Sequence, residues 1–164
     1  MAELSKKMVS SINDQINAEL VSAYIYLDIA DYYVEKGMVG FGAWFKKQAK
    51  EELEHAEKFM DYLHANGAKV VLADVTAPKD KYDDLRAPLV KQVEHEEYVT
   101  SLIYKLMDLA VKEKDYRTQE LLRWFVQEQF EEEEHSHNLL DQYDLYGKDI
   151  AALMKLDKEL GERK

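Results

Sequence analysis

The sequence predicts an all-α protein: a four-helix bundle with one long crossover connection and a short fifth helix at its carboxyl end. The 164 residues include only 2 prolines and 6 glycines, too few for the closely spaced turns of a β-sandwich or barrel. Charged residues make up 34% of the chain and hydrophobic residues 46%, as in long amphipathic helices. Helix breakers occur at only a few places, and long uninterrupted stretches lie between them. We predict one domain that spans residues 1–164.

The first helical hairpin is predicted at about 5–36 and 41–65. Gly37 follows the first of these helices and can adopt the left-handed conformation that ends a helix. Asn66 and Gly67 end the second helix. Because the link between the two helices is short, we expect them to run antiparallel.

The stretch after the first hairpin, residues 68–83, is predicted to be an extended connection, because a short β-branched run there is followed by a proline. Asp83 or Asp84 is expected to cap a third helix at about 84–114. Pro88 would lie in its first turn, where a missing N–H costs little.

A fourth helix is predicted at about 118–146, ended by Gly147, and a short amphipathic helix follows at about 148–160. A helix of ~27 residues is ~40 Å long. The connection between the second and third helices has roughly 18 residues, and at ~3.3 Å per residue it can cross that distance. Two hairpins joined by one long crossover are a known arrangement of the four-helix bundle.

Charge and composition exclude several functions. The net charge of −11 makes nucleic acid an improbable partner, because an acidic surface repels phosphates. The chain has no cysteine, so disulfides, zinc ribbons, iron–sulfur clusters and thiol nucleophiles are excluded. No apolar run is long enough to span a membrane, and no charged-then-apolar leader pattern is present. We therefore expect a cytoplasmic protein with no membrane partner.

Each of the four long helices carries a carboxylate in the middle of its apolar stripe. They are Glu19, Glu52 with His55 one turn later, Glu96, and Glu132 with Gln129 one turn earlier. A buried carboxylate costs several kcal/mol unless it is paired or bound to metal. Since no lysine or arginine lies near them on these stripes, two divalent or trivalent cations would balance the charge. Carboxylates with a single imidazole favour iron or manganese.

Other readings of these residues stay open at this point. Glu132 with His135 has the same i, i+3 spacing and competes as the ligand pair of the fourth helix. The remaining histidines, His64, His95 and His137, are predicted to lie on the surface. The acidic run 131–134 would by default be a solvated face.

Four segments together resemble the non-haem ferritins of bacteria and archaea. They are Asn17-Ala18-Glu19-Leu20 with Tyr26, Glu51-Glu52-Leu53-Glu54-His55, His95-Glu96, and Trp124-Phe125-Val126-Gln127-Glu128-Gln129-Phe130-Glu131-Glu132. The resemblance covers essentially the whole chain. It implies the ferritin-like fold and a shell of 24 identical subunits that oxidises Fe(II) with oxygen or peroxide and stores ferric mineral.

The resemblance also implies roles for individual residues. One iron site would be formed by Glu19, Glu52 and His55, with Glu52 bridging to a second iron. The second iron would also be held by Glu96 and Glu132, with Gln129 close by and Tyr26 beside the pair. A third, accessory iron site would be formed by Glu51, Glu128 and Glu131, with Glu132 shared; the alternative is a solvated acidic patch.

Haem is not expected, because Leu53 stands where the haem-binding relatives have a methionine. Two other functions remain possible for the same ligands. One is a di-iron or di-manganese enzyme acting on an organic or peroxide substrate. The other is a non-catalytic helical assembly module that binds a structural metal.

Overall fold

A computed structural model describes residues 3–164, so residues 1 and 2 of the predicted domain lie outside the described part. The helices are α1 (Lys6–Glu35), α2 (Val39–Ala65), α3 (Ala87–Glu113), α4 (Tyr116–Tyr146) and α5 (Ile150–Gly161). The described range contains no strand. The predicted all-α fold, with two hairpins, one crossover and a short fifth helix, is confirmed. None of these helices is long and apolar enough to cross a membrane.

The helix ends follow from local chemistry. Ser5 caps α1 by accepting the N–H of Met8, and Gly37 beyond its end has the predicted positive φ of 80°. The third helix begins at Ala87, three residues later than predicted. The reason is that Asp84 Oδ1 accepts the N–H groups of both Arg86 and Ala87, so Asp84 lies in the turn before the helix.

The crossover between α2 and α3 is extended, as predicted, and is fixed to α1 by amide side chains. Asn13 Nδ2 donates to the carbonyl of Lys69 at 3.1 Å, and Asn13 Oδ1 accepts the N–H of Val71 at 2.7 Å. Asn17 Nδ2 donates to the carbonyl of Asp74 at 3.1 Å. These bonds take the place of a strand partner for the crossover backbone.

The core has two apolar clusters with a polar layer between them. The aromatic cluster packs α5 against the start of α2 and includes Tyr26, Tyr33, Phe41, Trp44, Phe45, Leu153 and Leu156. The aliphatic cluster fills the opposite end of the bundle and includes Met8, Ile12, Phe59, Leu63, Ile103 and Phe125. Apolar packing at both ends therefore fixes the four helices whose polar side chains meet in the middle.

Candidate metal centre

Four carboxylates and one imidazole meet in the polar layer, each carboxylate contributed by a different helix. The exposed fractions are 1% for Glu19, Glu52 and Glu96, 3% for Glu132 and 4% for His55. Within residues 3–164, two groups place their ligand atoms within 4.8 Å of one another: Glu19 with Glu52 and His55, and His55 with Glu128 and Glu132. The structure thus brings the predicted inward residues of α1 and α2 to one point.

The α1–α2 half of the centre consists of Glu19, Glu52 and His55. His55 Nδ1 lies 3.2 Å from Glu52 Oε2 and 3.8 Å from Glu19 Oε2. Gln15 Nε2 donates to Glu19 Oε1 at 2.8 Å. The other oxygen, Glu19 Oε2, is buried and has no hydrogen-bond partner among the described residues. A buried carboxylate oxygen without a donor is a site where a cation would be stabilising.

The α3–α4 half consists of Glu96, Gln129 and Glu132. The hydroxyl of Tyr26 donates to Glu96 Oε1, and Gln129 Nε2 donates to Glu96 Oε2 at 3.2 Å. Gln48 Nε2 donates to Glu132 Oε2 at 2.8 Å. The carboxylates of this half therefore accept hydrogen bonds from neutral side chains.

Burial raises the pKa of every carboxyl group in the centre. It raises the pKa of Glu96 to about 8, with the negative charge of Glu132 adding to the effect. Burial also raises the pKa of Glu19 and Glu132, and it raises that of Glu52 well above the usual range, where the charges of Glu96 and Glu19 contribute too. The positive charge near these four carboxylates is therefore too small to keep all of them ionised.

His55 supplies the positive charge that is present. Burial alone lowers the pKa of its imidazole, but contacts with Glu128 and Glu52 outweigh this and raise it to about 11. His55 Nε2 lies 3.6 Å from Glu128 Oε1, and this contact lowers the pKa of Glu128. One imidazolium beside several carboxylates leaves room for further cations.

The three residues of the predicted accessory site have different partners in the structure. Glu128 contacts His55, Glu51 forms an ion pair with Arg163, and Glu131 is exposed. Neither Glu51 nor Glu131 belongs to a ligand group within residues 3–164. The accessory site stays a prediction.

The histidines divide into exposed and buried ones. His64 and His137 are exposed, as predicted, and His135 is exposed and belongs to neither ligand group in the described chain. The prediction for His95 is wrong: it is 8% exposed, and its Nε2 lies 2.7 Å from Ser22 Oγ. Because α3 also packs against α1, its buried face is wider than the predicted stripe. Burial lowers the pKa of His95 to about 4, so this imidazole is neutral.

Two residues near the centre were missed by sequence reasoning. Gln48 is fully buried, and it lies four residues before Glu52 on the same stripe, so the helical period could have identified it. Arg163 lies beyond the predicted fifth helix and reaches Gln48 and Glu51 from the end of the chain. No local pattern in the sequence signals that contact.

Comparison with known proteins agrees with this geometry. Residues 9–146 match the family model of the ferritin-like domain. A bacterial non-haem ferritin of Staphylococcus aureus is 35% identical over 160 residues, covering 98% of this chain and 96% of that protein. A probable bacterial non-haem ferritin-like protein of Haemophilus influenzae is 34% identical and covers 96% of each chain. The solved structure of an open-pore ferritin from Archaeoglobus fulgidus is 42% identical, with a TM-score of 0.97 and complete coverage of both chains.

Proposed function

This chain belongs to the ferritin family, and on that premise we propose that it is an iron-storage protein whose buried centre oxidises Fe(II) to Fe(III). The observation that carries the proposal is the meeting of four buried carboxylates and one imidazole at mid-bundle. Carboxylate oxygens with few nitrogen ligands suit iron. Iron is the substrate here, and two ions per subunit would be bound.

Each residue of the centre has a proposed role. Glu19 and His55 would hold one iron, Glu96 and Glu132 the other, and Glu52 would bridge both. The bridging role is supported by electrostatics, because the pKa of Glu52 is raised by burial and then by both Glu96 and Glu19. Glu52 therefore lies within electrostatic reach of both halves of the centre.

Neighbouring polar groups would orient these ligands. Tyr26 holds one oxygen of Glu96 and Gln129 the other, so the carboxylate has little freedom to rotate. Carboxylates stabilise Fe(III) over Fe(II) because the ion with the higher charge gains more from negative ligands. In the proposed reaction each Fe(II) gives one electron to a shared O₂, which takes up two protons and leaves as H₂O₂.

A route for cations away from the centre is also proposed. A cavity of about 410 Å³ opens beside His55 and is lined by Glu51, Glu54, Glu57, Lys58, Asp61, Trp124 and Glu128. Acidic walls attract cations and repel anions. An organic substrate would require a mainly apolar pocket, so this lining favours iron transfer over the alternative of an enzyme acting on an organic molecule.

Three further parts of the proposal extend the family relationship. We infer a shell of 24 subunits, a cytoplasmic location, and an accessory iron site that includes Glu51, Glu128 and Glu131. The shell would enclose the ferric mineral, and the accessory site would relay iron towards it.

The test combines particle size with iron chemistry. Light scattering on the purified protein should give one large, uniform particle, and anaerobic titration should give at least two Fe(II) ions bound per subunit. Aeration should then produce Fe(III) within seconds. A monomer or dimer that binds iron without oxidising it would instead support a structural metal site.

A further inference from the structure

The fifth helix is docked against the start of α2 by close backbone contact. A Cβ atom on Gly40 would lie 1.6 Å from the carbonyl oxygen of Asp157, so only glycine fits there. The N–H of Phe41 donates to Asp157 Oδ1 at 2.9 Å. A Cβ on Gly161 would lie 3.2 Å from the Cα of Gly40. These contacts fix where the chain after α5 can reach.

Arg163 lies two residues after the end of α5, and both terminal nitrogens of its guanidinium group form hydrogen bonds. Nη2 lies 3.0 Å from both carboxylate oxygens of Glu51, and Nη1 donates to Gln48 Oε1 at 2.5 Å. The guanidinium also lies 4.9 Å from the ring centre of Trp44. The Arg163 and Glu51 side chains are 23% and 25% exposed, so solvent screens this pair only in part.

The contact with Gln48 reaches the metal centre. An arginine only donates, so the carbonyl oxygen of the Gln48 amide must face Arg163. The amide nitrogen then faces Glu132, to which it donates at 2.8 Å. Arg163 therefore orients a fully buried glutamine against one of the proposed iron ligands.

We propose that Arg163 is a positioning residue with two effects. Its guanidinium supplies the positive charge that pairs with Glu51, and its contact with Gln48 orients that amide so that it donates to Glu132. This inference rests on the proposed function. The guanidinium places a positive charge against both oxygens of Glu51 and uses a lone pair of each, so a metal ion binds Glu51 more weakly until the guanidinium moves away. The segment after α5 then controls how tightly an ion is held between the centre and the acidic cavity.

The consequence is competition between arginine and metal. When Arg163 is present, a third ion at Glu51 must compete with two charge-assisted hydrogen bonds and with the positive charge of the guanidinium. Without it, Glu51 is free to bind. We expect the affinity for the third ion to rise about three- to tenfold, as suits an ion pair that is about one-quarter exposed.

The test uses the whole assembled protein, with Zn(II) as a redox-inert probe under equilibrium dialysis. Arg163→Met removes the charge but leaves a long side chain that can still pack against the Trp44 ring. Lys164→Met is the matched control, because it removes the same charge one residue later from an exposed position. We expect Arg163→Met to bind the third Zn(II) about three- to tenfold more tightly, and Lys164→Met to match the natural chain.

A second readout follows Trp44 directly. In a Trp124→Phe background, the third equivalent of Zn(II) should change the Trp44 emission as the guanidinium leaves the ring. The same titration of Arg163→Met, Trp124→Phe should show no such change. A fall in the unfolding temperature of Arg163→Met without tighter Zn(II) binding would mean that Arg163 only anchors α5, and would overturn the proposal.

The remaining outcomes separate this inference from the proposed function. If two ions bind to every variant but the third is absent or unaffected, the role of Arg163 is wrong and the iron centre stands. If no ion binds at the buried centre of the natural chain, both are wrong.

Discussion

The two halves of the metal centre hold their carboxylates in different ways. In the α1–α2 half, Glu19 and Glu52 lie against the charged imidazole of His55. In the α3–α4 half, Glu96 and Glu132 accept hydrogen bonds only from neutral groups of the described chain. The α1–α2 half thus contains the one imidazolium of the centre, whereas the hydrogen bonds to the carboxylates of the α3–α4 half come from neutral groups, and burial raises the carboxyl pKa in both halves.

This difference predicts how each half responds to metal. An ion entering the α1–α2 half must displace the proton of His55, since a protonated imidazole cannot bind metal. An ion entering the α3–α4 half must displace the proton held by Glu96, whose pKa is about 8. Both halves release protons from carboxyl groups on binding, and the α1–α2 half also releases the imidazolium proton.

The largest expected effect comes from the residue that links the halves. Glu52→Ala removes a carboxylate near both Glu19 and Glu96, so the paired site should be lost. Loss of residues that only orient ligands costs 10- to 100-fold, so we expect the initial rate of Fe(III) formation to fall at least ~100-fold. Stopped-flow absorbance measures this rate. Glu19→Ala serves as the control and should weaken one site only; an unchanged rate in Glu52→Ala would overturn the di-iron assignment.

The second expected effect is on how the stability of the metal-free protein depends on pH, which differs between a group of each half. The folded pKa of Glu96, about 8, lies above the ordinary 4.5, so its stabilising contribution is complete below pH 4.5 and is lost as pH rises through 8. The folded pKa of His55, about 11, lies above 6.5, so its contribution is lost between pH 6.5 and 11. Both slopes have the same sign, and the free energy of unfolding should fall as pH rises.

Substitution should remove each slope separately. Glu96→Gln should make the fall between pH 4.5 and 8 less steep, with the rest of the fall due to the other buried carboxyl groups, and leave the protein ~2 kcal/mol more stable than the natural chain at pH 9. His55→Gln should flatten the fall above pH 6.5. Urea unfolding in the presence of a chelator measures both. Identical pH profiles for the two variants would contradict the distinction between the halves.

The sequence predicts most of this fold because breakers and apolar stripes act locally. Gly37 ends α1, and the stripes of the four helices bury the carboxylates as expected. The start of α3 was misplaced because Asp84 can cap either a helix or the turn before it, and the sequence does not distinguish these. His95 was misplaced because the packing of α1 on α3 is a tertiary property.

The site was only partly predictable for a similar reason. Glu52 and His55 are one turn apart, so helical spacing alone places them together. Gln48 and Arg163 are 115 positions apart in the chain, and only the docking of α5 brings them into contact. Glu128 and Glu131 share a helical face by spacing, yet Glu128 turns to His55 and Glu131 remains exposed.

The third effect tests the neutral donors of the α3–α4 half. Tyr26→Phe removes the donor to Glu96 and keeps the ring within the aromatic cluster. We expect the oxidation rate to fall ~10-fold, as for loss of a group that orients a ligand. Stopped-flow absorbance again measures the rate. Tyr33→Phe is the matched control, since Tyr33 is equally buried but donates to the carbonyl of Leu85; equal effects from both variants would show that Tyr26 acts through packing alone.

The smallest expected effect concerns Glu128, at the edge of the centre. Its side chain contacts His55 of the α1–α2 half and also lines the acidic cavity. In Glu128→Ala, Glu131→Ala the paired site keeps Glu19, Glu52, Glu96 and Glu132, so the first fast phase of oxidation should be unchanged. An iron ion in the accessory site would supply a further electron, so its loss should lower the number of Fe(II) ions oxidised per O₂ consumed.

An oxygen electrode combined with an Fe(III) assay measures that ratio. The two single variants serve as controls for each other. Glu128→Ala removes the carboxylate that contacts His55, whereas Glu131→Ala removes only an exposed carboxylate. If the ratio falls with either variant, the two residues act on the same ion. If it changes in neither variant nor in the pair, Glu128 serves to hold His55 charged, and the acidic face is a solvated surface.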